Sequence, residues 1–152
     1  MKREVSTFSS LVGLVLSVVG LFLPWTKEEW IPGAMGLSSD YLLGIELAVG
    51  QIALIACIFV SILLIFYVIR RQGYSLVFAL FGGLFTMFCS LLWMVDPGAL
   101  ILSRFPVYYT VLYGTYVTFI GSVLISASAT LALRSYKFVP KSSNQATTPS
   151  DT

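Results

Sequence analysis

Long apolar runs separated by short polar breaks dominate the chain. Charges mark the breaks. No Asp, Glu, Lys or Arg falls within residues 5–26, 47–69, 72–95 or 105–133, which are stretches of 22, 23, 24 and 29 residues. A helix rises 1.5 Å per residue, so about 20 residues cross a hydrocarbon core about 30 Å thick. Each stretch is long enough for one crossing and too short for two. The pattern predicts helices near residues 8–25, 48–68, 74–93 and 110–133. The runs are continuous rather than alternating, which argues against strands. The predicted fold class is all-α: a four-transmembrane-helix bundle over residues 1–138. Outer loops are placed near 26–43 and 96–109, and residues 139–152, rich in Ser and Thr, read as a disordered tail.

Composition agrees. Of 152 residues, 57% are hydrophobic and 11% charged, and mean hydropathy is +0.90. A soluble domain carries about 25% charged residues. This chain has too little polar surface to cover a water-soluble core. Lys2 and Arg3 ahead of the first run resemble the start of a signal peptide. The run nevertheless ends in Leu23-Pro24-Trp25 without a small-residue cleavage pattern, so it reads as a retained span.

Four spans put both chain ends on one side. That side holds Lys2, Arg3, Arg70, Arg71, Arg134, Lys137 and Lys141; the other holds only Lys27 and Arg104. The positive-inside rule therefore predicts a cell-membrane protein with N and C termini cytoplasmic. Trp25, Trp30 and Trp93 then fall on the outer side, where interfacial tryptophans anchor helices.

Helices inside lipid associate through small residues, because hydrophobicity cannot drive contact there. Ser10, Gly13, Ser17 and Gly20 lie three, four and three apart on one face of the first helix. This face either packs inside the bundle or receives a partner. The fourth helix carries Thr118, Ser122 and Ser126 at intervals of four, a candidate pore lining between protomers.

Catalytic signals are missing. The chain has no histidine and two cysteines, Cys57 and Cys89, outside any C-x-x-C pair. No Walker loop, dinucleotide fingerprint or G-x-S-x-G occurs. No catalytic residue, metal ligand or cofactor is predicted, and a net charge of +2 gives no reason to expect nucleic acid. Intramembrane carboxylates, the usual mark of ion or proton pathways, are lacking within the spans. Glu46 comes nearest, at the outer mouth of the second span, with Lys27 or Arg104 as a candidate partner. Trp30, Asp40 and Glu46 are the candidate outer contact residues. Ser39 or Asp40 could instead cap an extended second helix beginning near Tyr41.

Four spans, cytoplasmic termini and a larger first outer loop with Trp30 and Gly36-Leu37 resemble the claudin and peripheral-myelin-protein arrangement, which implies contact or adhesion between membrane proteins. The loop lacks that family's second Trp and its cysteine pair, and is short for its extracellular sheet. Leu23-Pro24-Trp25, Gly36 with Asp40-Tyr41, and Gly114-Thr115-Tyr116 through Gly121 also resemble small prokaryotic four-helix integral membrane proteins, mostly uncharacterised. The functional expectation is a non-enzymatic assembly, scaffold or accessory subunit, whose partners are the lipid bilayer and either itself or another membrane protein. The alternative is a small oligomeric transporter or channel.

Overall fold

The computed structural model describes residues 2–30, 39–70, 73–97 and 107–135. Four long helices form: α1 (Lys2–Phe22), α2 (Ala48–Arg70), α3 (Gly73–Val95) and α4 (Tyr113–Ser135). All four are long and apolar enough to cross a membrane. At 23 residues, α2, α3 and α4 each reach about 34 Å. Proline sets two of the boundaries. Pro24 follows α1 and drives the preceding residue out of helical geometry, and Pro97 stands just beyond α3.

Among the described residues, three short strands accompany the helices: β1 (Pro24–Trp30), β2 (Ser39–Leu43) and β3 (Val107–Val111). They form one antiparallel sheet in the order β2-β1-β3. This corrects the purely α-helical expectation. The residues predicted as outer loops contain strands, and Ser39–Leu43 pairs with β1 instead of extending the second helix. The physical reason is pairing across distance. Thr26–Trp30 is charged and has no apolar alternation of its own. Its backbone groups are satisfied by β2 on one side and, on the other, by the segment after α3, which the bundle brings alongside it. A 3₁₀ turn, Gly44–Glu46, joins β2 to α2.

The helix bounds move accordingly. The first helix ends at Phe22, with Pro24 and Trp25 in β1, and the fourth begins at Tyr113 because Thr110 belongs to β3. The stretch 98–106 and the tail 139–152 lie outside the described residues.

Helix α1 packs along its length on α4, α4 on α3, and α3 on α2, while α1 and α2 touch far less than these neighbouring pairs. One apolar cluster lies toward the sheet, with Leu21, Trp25, Leu47, Ala53, Cys57 and Trp93. A second lies among Val60, Leu64, Ala79 and Ile125. Bulky side chains such as Phe8, Val15, Ile55, Ile62, Phe81 and Ile120 are exposed around the bundle. That arrangement suits hydrocarbon and not water.

Candidate functional site

The sheet is docked onto the bundle through Trp25. Pro24 pairs with Leu43 and Thr26 with Leu42, so Trp25 is an extra residue on β1, a β-bulge. Successive strand residues normally face opposite ways. The bulge lets Trp25 and Thr26 both be fully buried. The Trp25 indole N–H donates to the Gly20 carbonyl at 2.9 Å. Its own carbonyl accepts from the Leu112 amide at 2.8 Å and the Thr115 hydroxyl at 3.3 Å. Glycine makes the space. A Cβ on Gly44 would meet the Trp25 indole at 2.5 Å, and one on Gly114 would meet the Pro24 carbonyl oxygen at 2.6 Å.

Trp93 lies beside it, ring centroids 6.5 Å apart and planes tilted by 49°. It too is buried, and its indole N–H has no hydrogen-bond partner among the described residues. Trp25 and Trp93 are therefore core residues and not the exposed interfacial anchors that the sequence predicts. The bulge and the facing glycines turn Trp25 inward, a consequence of pairing that hydropathy does not register.

Charged groups line the ladder. Lys27 bonds the Glu29 carboxylate at 2.8 Å. That hydrogen bond, then the Glu29 charge, raises the Lys27 pKa. Glu28 stands opposite Asp40 on β2 and opposite Tyr109 on β3. Burial, then the Asp40 charge, pushes the Glu28 carboxyl above its usual range.

The predicted contact residues separate on this frame. Asp40 is exposed on β2. Trp30 closes β1, its backbone in register with Val107. Glu46 accepts the Leu43 amide at 2.8 Å, capping the 3₁₀ turn. Lys27, one of its two candidate cationic partners, is held by Glu29 instead. Arg104, the other, lies outside the described residues.

The first-helix seam faces α4. Ser10, Gly13, Ser17 and Gly20 are all buried. A Cβ on Gly13 would meet the Ile125 amide at 2.9 Å, and one on Gly121 would meet the Ser17 amide at 2.5 Å. The Ser6 hydroxyl reaches across to the Ser128 carbonyl at 2.6 Å. On α4, Thr118, Ser122 and Ser126 are buried as well, each donating to the carbonyl four residues earlier in its own helix. These hydroxyls are satisfied locally, so α1 and α3 can cover them without an orphaned donor.

No protein-family profile matches the chain, and no curated protein does. The chemistry of the site therefore rests on its own residues. Cys57 and Cys89 are free, buried thiols within the same cluster. Among the described residues, no three His, Cys, Asp or Glu side chains gather to hold a metal ion. The sequence reading missed the role of Gly44 and Gly114. The signal was present as Leu23-Pro24-Trp25 and Gly114-Thr115-Tyr116, but nothing local says that these segments meet.

Proposed function

We propose that this is a non-enzymatic, multi-pass cell-membrane protein that acts through contacts, as a small assembly, scaffold or accessory subunit. Its sheet faces outward and both termini lie in the cytoplasm. The observation that carries the reading is the sheet itself. A charged, three-stranded platform is braced onto an apolar bundle by a buried tryptophan. Its β2 edge presents exposed Asp40 and Tyr41. The first-helix seam, the other candidate contact face, is occupied by α4 within the same chain. Partner contact is accordingly assigned to the sheet and to the exposed outer helix faces. An inter-protomer pore lined by Thr118, Ser122 and Ser126 would need those hydroxyls on an outer face, and they are buried. That observation favours the contact reading.

The test is extraction from the native membrane in mild detergent, followed by mass determination and identification of whatever co-purifies. A defined complex that dissociates on Tyr41→Ala or Asp40→Lys, with the spans intact, supports the proposal. A lone monomer, or a complex indifferent to both substitutions, counts against the sheet as the contact surface.

A further inference from the structure

Strand β2 has one partner and one open edge. β1 pairs with it on one side, and among the described residues no strand lies on the other. In an antiparallel ladder, neighbouring residues direct their backbone groups to opposite sides, and this settles which amides of β2 face outward. The Gly44 amide donates back to the Leu23 carbonyl at 3.2 Å, just beyond the Pro24–Leu43 pair. The Leu43 amide donates the other way, to the Glu46 carboxylate at 2.8 Å. Leu42 and Asp40 therefore bond to β1, while Tyr41 and Ser39 direct their backbone groups away from it. Glu46 closes the edge at Leu43. The run Ser39–Tyr41 stays open, and Tyr41 is 60% exposed.

The open edge carries an unanswered charge. Glu28 and Asp40 stand directly opposite each other, so both project from one face of the sheet. Tyr109 is the next residue in that row, on β3. Lys27 projects from the other face, where Glu29 holds it. Asp40 is exposed and makes no ion pair among the described residues. A further strand laid along β2 would set one of its side chains opposite Asp40, and a cation there would pair with the carboxylate. A second copy of β2 meets this requirement badly. Two-fold registers centred on Tyr41 or Leu42 need the Leu43 amide, which Glu46 already holds. The register centred on Asp40 pairs Ser39 with Tyr41 but sets the two Asp40 carboxylates face to face, and like charges directly opposite are destabilising.

We propose that the open edge of β2 receives an extended segment of a second, different protein, paired with Ser39–Tyr41 and carrying a lysine or arginine opposite Asp40. Strand addition of this kind takes its attachment from backbone hydrogen bonds and its selectivity from side chains. The open run is short, so the cation at Asp40 decides which segment binds. This inference rests on the sheet being the contact surface, and names the chemistry of what it contacts.

The experiment is hydrogen exchange of the full chain in phosphatidylcholine nanodiscs, with and without an end-blocked hexapeptide of alternating valine and lysine. Phosphatidylcholine has no net charge and does not draw the peptide to the bilayer. Without peptide, the Asp40 and Leu42 amides should be protected and the Tyr41 amide should exchange fast. Peptide should slow the Tyr41 amide in a saturable way. Asp40→Asn, or glutamate in place of lysine in the peptide, should weaken binding by up to about five-fold. Asp40→Lys should turn the preference toward the glutamate peptide. Asp40 is exposed, so neither substitution touches the core. Equal protection by a peptide N-methylated along one edge would overturn the proposal, as would protection indifferent to both Asp40 variants. A native complex that dissociates on Tyr41→Ala, combined with an unprotected Tyr41 amide at saturating peptide, would keep the sheet as the contact surface and overturn strand pairing alone. A doubled mass, with the two copies joined through Tyr41→Cys, would assign the edge to a second copy and overturn it as well.

Discussion

Gly13 and Gly121 cross backbone against backbone: a Cβ on Gly13 would lie 2.7 Å from the Gly121 carbonyl oxygen, and one on Gly121 would lie 2.6 Å from the Gly13 carbonyl oxygen. Neither clash is with a side chain that can swing away. Only a shift of one helix could relieve it. Close approach of α1 and α4 is thus written into two glycines that are 108 residues apart.

Gly13→Ala and Gly121→Ala should each destabilise the bundle by about 1–3 kcal/mol, the usual cost of overpacking. Gly13→Leu should cost more. Val15→Leu, on the exposed face of the same helix, should cost little. Thermal unfolding in a mild detergent measures this. A Gly13→Leu protein as stable as the parent would mean that the α1–α4 contact is not as close as described.

The two buried tryptophans should answer differently to phenylalanine. Trp25→Phe removes a donor from a made hydrogen bond and leaves the Gly20 carbonyl without it. Trp93→Phe removes a buried N–H that has no partner among the described residues. Both leave some unfilled space, but only the first loses a bond, worth about 1 kcal/mol. Trp25→Phe should therefore be the less stable variant by about that amount. The reverse order in matched melts would contradict the assigned indole contacts.

Acid should tighten the β1–β2 ladder. The Glu28 carboxyl has a folded pKa above the usual 4.5, from burial and then from Asp40. A raised folded pKa adds stability below the unfolded value, and that stability is lost as pH rises through the folded one. The pairing should be firmest when Glu28 is protonated and weaken above the carboxylate range. Directly opposed like charges cost a few tenths to about 1 kcal/mol. Glu28→Gln should flatten the dependence. Hydrogen-exchange protection of the β1 amides, corrected for intrinsic rates, reads it. Protection that rises with pH in the parent would refute the sign.

Membrane orientation is open to labelling. Glu29 and Ser135 are exposed at opposite ends of the bundle. The native thiols Cys57 and Cys89 are buried, so they should stay silent until denaturation. In intact cells an impermeant maleimide should modify Glu29→Cys and spare Ser135→Cys. Labelling of Ser135→Cys alone would invert the proposed topology, and labelling of both would break the four-span arrangement.

Four helices and their approximate limits were legible because a ~30 Å apolar layer demands uninterrupted runs, and charges at Glu4, Lys27, Glu46, Arg70, Arg71, Asp96, Arg104 and Arg134 bound those runs. The spacing of Ser10, Gly13, Ser17 and Gly20 likewise marked a packing face, since helical periodicity is local. Which surface meets that face is not local: α4 occupies it only because the chain returns from more than 100 residues away. The sheet is the sharper case. Thr26–Trp30 carries no strand pattern, and its pairing with Val107–Val111 exists because the bundle sets the two segments side by side. The same holds for Trp25. Its sequence neighbours allow an interfacial anchor, whereas the bulge, Gly20, Gly44 and Gly114 make it the pin between sheet and helices. Sequence by itself determined the periodic elements, because hydropathy and helical spacing act over a few turns. Tertiary structure alone decided the partners, because a backbone hydrogen bond or a glycine contact depends on what lies across it.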